Sequence, residues 1–210
     1  MSLASDARFW DRTSRKYARG AIADQAGYER TLARTRALLR SGDRVIELGC
    51  GTGTTAFHLA GQVQDYLATD ISSAMVAIAE EKRAADPIPG LIFRAATAEA
   101  LLPDAPFNAV LGFNYLHLVR DLPGTLRSIH ALIATDGVFV SKTPCVGEMN
   151  PLIRLVLPAM RAIGQAPYAG VFRAAELSQY IEGAGFDIMA SENHATKGND
   201  QRPYIVARKR

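Results

Sequence analysis

The stretch Glu47-Leu48-Gly49-Cys50-Gly51-Thr52-Gly53 constrains this chain more than any other. It closes a short apolar run, Arg44-Val45-Ile46-Glu47-Leu48, and precedes a helical stretch that starts near Thr54 and carries Phe57 and Ala60. A strand that ends in glycines and feeds a helix lets the backbone approach a ligand closely, with the helix N-terminus behind it. The spacing here is GxGxG, whereas the dinucleotide fingerprint is GxGxxG. Glu47 adds a physical objection to a dinucleotide. A pyrophosphate at the helix N-terminus would face a carboxylate two residues before the first glycine, at electrostatic cost. A positively charged ligand suits that loop better.

Downstream, short apolar runs alternate with helical stretches, the pattern of strands feeding crossover helices in a parallel sheet. The second strand, Tyr66 to Thr69, ends at Asp70, and Ser72 and Ser73 then cap a helix with Met75, Ile78 and Ala79 on one face. Leu91-Ile92-Phe93 gives a third strand and Ala109-Val110-Leu111 a fourth. A helix from Leu122 to Ala134 is expected to stop at Asp136-Gly137, ahead of a fifth strand, Val138 to Ser141. After a helix around Ala174 to Ala184, Phe186 to Met189 and Tyr204 to Ala207 read as two last strands joined by a polar loop, Thr196 to Arg202. That ending reads as antiparallel. Asp70, twenty-one residues after Gly49, can accept from both hydroxyls of an adenosine ribose, or can simply cap the helix that Ser72 opens.

With 210 residues, 48% apolar and 21% charged, one globular domain is expected. Residues 1–40 form a helical lid with Tyr28, Leu32, Thr35 and Leu39 spaced for one face, and 41–143 the cofactor-binding core. Residues 144–170, punctuated by four prolines with Ile153, Leu155, Val156, Leu157 and Met160 between them, form a substrate-side insertion, and 171–210 the final helix and strand pair. The net charge of +3 is mild and the basic residues are scattered, so composition does not argue for nucleic acid. Cys50 and Cys145 form no CxxC pair, and no metal site is expected. Two thiols, no apolar leader and no run long enough to span a bilayer lead to the expectation of a soluble cytoplasmic protein with no membrane insertion.

Glu47 to Gly53, Asp70-Ile71-Ser72 and Asp136-Gly137 before the fifth strand together resemble class I S-adenosylmethionine-dependent methyltransferases. The likeness covers about Ser41 to Ser141, with Gly185-Phe186 and the terminal strand pair extending it. It implies an α/β, Rossmann-like doubly wound sheet of seven strands in order 3-2-1-4-5-7-6, strand seven antiparallel, and S-adenosyl-L-methionine as cofactor. Glu47 suits the cofactor's ammonium and sulfonium charges. By the same resemblance Gly49, Cys50 and Gly51 contact the methionine part through backbone, Asp70 takes the ribose, and Ile71 and Met75 pack on the adenine. Thr97, Ala98 and Glu99 stand where many members carry an aspartate before an Ala-Glu pair that reaches the adenine amine. Thr97 replaces that aspartate, so the contact is weaker or made by backbone. Phe107-Asn108 replaces the usual Phe-Asp, and Asn114 faces the methyl-transfer centre. Phe9-Trp10-Asp11 and Tyr17 resemble the leader of small-molecule methyltransferases of the ubiquinone-biosynthesis type, where an early tyrosine helps enclose the cofactor.

Methyl transfer from a sulfonium needs alignment and exclusion of water, and a general base only where the acceptor must lose a proton. His117, after the carboxyl end of strand four, is the candidate base; a helix-start histidine bonded to backbone is the bland alternative. The expected acceptor is a small, partly apolar molecule. Two other readings stand beside it. Arg30, Arg34, Arg36 and Arg40 motivate a tRNA methyltransferase, and binding without turnover would mark a non-catalytic S-adenosylmethionine-binding protein. Cys145, after strand five, sits where RNA cytosine-C5 enzymes carry a nucleophile, but the second cysteine after strand four is missing.

Overall fold

Strand β1 (Arg44–Leu48) is buried over its last four residues, as expected of an interior strand covered on both faces. The computed structural model, which describes residues 2–149, 151–196 and 201–210, places it in the interior of a seven-stranded sheet, third from one edge. Its other strands are β2 (Asp65–Asp70), β3 (Leu91–Ala95), β4 (Phe107–Phe113), β5 (Ile133–Lys142), β6 (Phe186–Glu192) and β7 (Tyr204–Lys209). The order is β3-β2-β1-β4-β5-β7-β6. The first five strands pair in parallel, and β7 runs antiparallel to both β5 and β6. This is the order and hand of pairing expected.

Alternate side chains go to opposite faces, so the sheet divides the core in two. Ile46, Leu48 and Val110 join Leu126, Ile129 and Leu132 of α5 (Leu122–Leu132) on one side. Val45, Tyr66, Ala68 and Leu111 join Ala56 and Leu59 of α3 (Thr54–Leu59) on the other, together with Leu32 of α2 (Gln25–Arg36). Ser72 caps α4 (Ser73–Ala85) by accepting from the Met75 N–H at 3.1 Å, as its position implies. α1 (Leu3–Ala18), α6 (Pro151–Ala162) and α7 (Ala174–Gly183) complete the helices.

One expectation needs correction. α5 ends at Leu132, and β5 begins at once at Ile133, which pairs with Phe107. Asp136 (φ 62°) and Gly137 sit in a register shift within β5 and do not stop the preceding helix. The buried side chain of Ile133 rewards extending the strand across that irregularity. Next, the 144–170 segment contains a helix, α6, which runs through Pro158. The side chains of Ile153 and Leu155 lie outside the described residues, as do residues 197–200 of the expected polar loop.

The N-terminal forty residues hold two helices, α1 and α2. Side-chain bonds tie α2 to the end of the sheet. Thr35 Oγ1 and the buried Tyr204 hydroxyl share a 3.0 Å hydrogen bond, and Arg34 Nε donates to Glu192 at 2.8 Å. Thr31 Oγ1 donates to the Gly27 carbonyl and meets His194 Nδ1 and Lys142 Nζ, both at 3.0 Å. Thr31→Val leaves the buried His194 Nδ1 and the Lys142 ammonium short of that partner. The expected cost is about 1–3 kcal/mol in urea unfolding. A variant as stable as the parent would show that α2 is not held this way.

Candidate functional site

Three chain reversals at the carboxyl ends of β1, β2 and β4 enclose a cavity of about 450 Å³. In open α/β sheets ligands collect at this edge. The loop after β1 turns through Gly49 (φ 70°) and Gly51 (φ 55°), both in the left-handed region. A Cβ on Gly49 would stand 2.7 Å from the Tyr115 ring, and one on Gly51 3.4 Å from the Tyr17 ring. Glycine is therefore required at Gly49 by close approach as well as by conformation.

Asp70 closes β2 and lines the cavity. Its Oδ2 accepts from the Gly51 N–H at 3.0 Å and its Oδ1 from the Ser72 N–H at 2.9 Å. Both roles open to it in the sequence are thus compatible: a carboxylate offers about four lone-pair sites, and two remain for a ligand. Burial pushes its pKa up, opposed by those N–H bonds. Ile71, Met75, Thr97 and Glu99 continue the wall, Glu99 accepting from Thr125 Oγ1 at 3.1 Å. Across the cavity stand Asn114 (φ 52°), Tyr115 and His117 from the turn after β4. Asparagine tolerates that backbone better than most non-glycine residues.

Tyr17, Gly49, Gly51, Asp70, Ile71, Met75, Thr97, Glu99, Asn114 and His117 are therefore gathered at one cavity. Glu47, Cys50 and Ala98 are not in its wall. Strand alternation turns Glu47 away, into the sheet, where it accepts from the Tyr66 hydroxyl at 2.9 Å. Cys50 spends its backbone N–H on the Thr69 carbonyl at 2.9 Å, and its side chain is core. Ala98 is buried in the opposite core cluster. Sequence reading also passed over Asp6, Arg120 and Arg202, which line the cavity. Their positions depend on how distant segments meet, and no local pattern marks them.

Glu47 carries a testable consequence. Burial raises its pKa from the ordinary 4.5 to about 7, against the pull of the Tyr66 hydrogen bond. Between those values the folded state holds a proton that the unfolded state has released. The stability this proton supplies is full below about 4.5 and is lost as pH rises to about 7, on the order of 3 kcal/mol. Glu47→Gln keeps an acceptor for Tyr66 and removes the titration. The variant is expected to exceed the parent in stability at about pH 8 and to match it at about pH 5 in paired urea melts. Parallel pH curves for the two would refute this.

α1 closes the cavity from outside with Leu3, Asp6, Trp10 and Tyr17. It packs along α4 and is fastened further by side-chain bonds. Asp6 pairs with Arg120 through two bonds of 2.7 and 2.9 Å, and Asp11 Oδ1 accepts from Ser72 Oγ at 2.7 Å and the Ala74 N–H at 3.2 Å. His117 Nδ1 is buried and finds no hydrogen-bond partner among the described residues, so the bland reading of a backbone-bonded histidine does not hold for that nitrogen. Burial lowers its pKa to about 4, leaving a neutral imidazole at neutral pH. Cys145 is buried, and burial pushes its thiol up to about 12, far from a nucleophilic thiolate. Among the described residues no group of three potential metal ligands occurs.

Residues 16–191 match the family described as "Methyltransferase domain", and the chain belongs to that family. It is 32% identical over 151 residues to the mitochondrial arginine-hydroxylase NDUFAF5 of Danio rerio, covering 69% of this chain and 45% of that protein. It is 33% identical over 103 residues to the malonyl-[acyl-carrier protein] O-methyltransferase of Magnetococcus marinus, covering 48% and 37%. Its fold superposes on the magnesium protoporphyrin IX methyltransferase ChlM of Synechocystis PCC 6803 with bound SAH. That match has a TM-score of 0.71 and 18% identity, over 95% of this chain and 93% of the other. The chain spans about half the length of the curated relatives it matches.

Proposed function

We propose that this chain is an S-adenosylmethionine-dependent methyltransferase acting on a small, partly apolar molecule. The observation that carries the reading is the cavity itself. A GxGxG loop and the Asp70 carboxylate form one end, and Asn114 and His117 stand across from them beneath an aromatic cover. The residues fit the cofactor. Asp70 retains acceptor sites for ribose hydroxyls, Ile71 and Met75 give an apolar bed, and Thr97 and Glu99 a polar edge. Asp70 and Glu99, two of the four carboxylates in the wall, favour a cationic ligand over a pyrophosphate beside them. When bound, S-adenosylmethionine supplies a methyl group on a positively charged sulfur, already activated for in-line displacement.

The chain's own work is then alignment and protection. Trp10 and Tyr17 exclude water, and Leu118, Val119, Pro167 and Tyr168 offer an acceptor apolar surface. His117, neutral near pH 7, accepts a proton from an acceptor hydroxyl or amine. His117→Gln is expected to lower kcat by about 100-fold or more with little change in KM. The pH profile of the parent should show no limb near 6.5, because His117 titrates at about 4. An unchanged kcat would remove His117 from the chemistry. The function itself is tested by calorimetry with S-adenosylhomocysteine followed by a methyl-transfer screen across hydroxylated, amino and carboxylated apolar compounds. The named methylations of malonyl-[acyl-carrier protein] and magnesium protoporphyrin IX by similar proteins support the reading.

Of the four arginines that motivate the tRNA alternative, one is neutralised by a carboxylate. Arg34 is paired with Glu192, Arg36 donates to the His58 carbonyl, and Arg30 reaches the Ala195 carbonyl. No helix of the described residues is long and apolar enough to cross a membrane. Free, buried Cys50 and Cys145 support a cytoplasmic setting.

A further inference from the structure

α6 carries an apolar row that the described structure leaves in water. Val156, Met160 and Ile163, the last just beyond the helix end, are 48%, 36% and 68% exposed, and Leu152 continues the row at 66%. Spacings of four, four and three residues put all four on one side of a helix. Among the described residues no helix or strand packs closely against α6, and its sequence holds two arginines and no acid. A contiguous apolar row of this kind marks a contact surface.

Next to it, α1 presents charge. Arg8, Arg12, Arg15 and Arg19 are all exposed at helical spacing, with exposed Lys16 beside them. Both acids of α1 are engaged elsewhere, Asp6 with Arg120 and Asp11 at the start of α4, so no carboxylate of that helix offsets these cations. Arg12 Nη2 donates to the Gly164 carbonyl at 3.3 Å, which brings the cationic face of α1 to the end of α6. A second link runs through Tyr168, whose ring lies 4.8 Å from both the Arg120 and Arg161 guanidinium carbons. The apolar row and the cationic row therefore adjoin, and Leu3, Trp10, Tyr17 and Tyr168 between them line the cavity.

We propose that α1 and α6 form a docking face for an anionic lipid bilayer surface. The α6 row enters the acyl boundary while the α1 cations meet the headgroups, the combination that holds amphipathic helices in a membrane interface. An acidic protein would engage the cations but gives an isolated apolar row no acyl layer to enter. Docking needs no turnover and so stands apart from the methyltransferase reading. Where that reading also holds, the face sets the cavity mouth against a store of apolar acceptors.

The test is co-sedimentation of the full chain with vesicles of phosphatidylcholine alone and of phosphatidylcholine mixed with phosphatidylglycerol. The protein is expected to partition to the mixed vesicles at least about tenfold better, with the preference fading at high salt. Val156→Glu with Ile163→Glu should abolish partition, and so should Arg8→Glu with Arg15→Glu, each with an unchanged circular dichroism spectrum and Tm. Four of the substituted positions are exposed and none lines the cavity, so two independent pairs keep the result readable. Failure to bind mixed vesicles overturns the proposal. So does binding that the α6 pair leaves intact, which would be charge alone. A dimer in light scattering that the α6 pair dissociates, without vesicle binding, would assign the face to a second copy of the chain instead.

Discussion

Asp70→Ala is expected to weaken S-adenosylhomocysteine binding by about 30- to 700-fold, the equivalent of roughly 2–4 kcal/mol from two hydrogen bonds to an ionised acceptor. The geometry sharpens what must be controlled. Asp70 also holds the Gly51 and Ser72 N–H groups, so its removal loosens the glycine loop and the start of α4 as well as the ligand contact. Asp70→Asn keeps one acceptor oxygen and the side-chain shape, and should fall between parent and alanine variant in calorimetry. Thermal melts without ligand separate the two losses. If both variants remain folded and bind as tightly as the parent, Asp70 is a loop staple only and the cavity end assigned to the cofactor is wrong.

Truncation should produce the second large effect, and its outcome depends on where the cut falls. A chain beginning at Ile22 lacks α1, with Trp10, Tyr17 and the Asp6–Arg120 pair, yet keeps the bonds of α2 to Glu192, His194 and Tyr204. It is expected to fold, to lose cofactor retention and to lack turnover, because the cavity stands open to water. A chain beginning at Ala37 also removes Thr31, Leu32, Arg34 and Thr35 from the sheet end. Leu32 burial and the hydrogen bonds to Tyr204, His194 and Glu192 sum to on the order of 5 kcal/mol, comparable with the whole stability of a typical domain. That chain should be unfolded or partly so. In the intact protein, hydrogen exchange across Phe9 to Tyr17 should slow on saturation with S-adenosylhomocysteine, while exchange in α2 stays as it was. Equal slowing in both helices, or in neither, would mean that α1 is no more of a lid than α2.

The strand order, the antiparallel ending, the glycine turn, Asp70 and the family could all be read from the sequence. The glycine turn, Asp70 and the antiparallel ending rest on local rules: alternating apolar runs, a GxGxG turn that only glycine accommodates closely, and an acid at a strand end. The strand order is what the family resemblance implied. Asp136-Gly137 shows where local rules fail. The pair has the chemistry of a helix stop, but burial of Ile133 in the sheet won, and the strand took over directly from the helix. Glu47 is a different case. Its place before the glycines is legible, but the direction of its side chain is set by the pleat, which sends it to the Tyr66 hydroxyl.

The chain by itself determined the class of fold, the sheet edge at which a ligand collects and many of the residues facing it, because those follow from spacing along one segment at a time. Only the tertiary structure decided what segments far apart in sequence do to one another. It tied the two N-terminal helices to partners such as Arg120 and Tyr204, more than a hundred residues away. It left His117 Nδ1 without a partner among the described residues. It also set the cations of α1 beside the apolar row of α6. Pairings of that kind depend on burial and on the closing of long loops, and no window of sequence contains both partners.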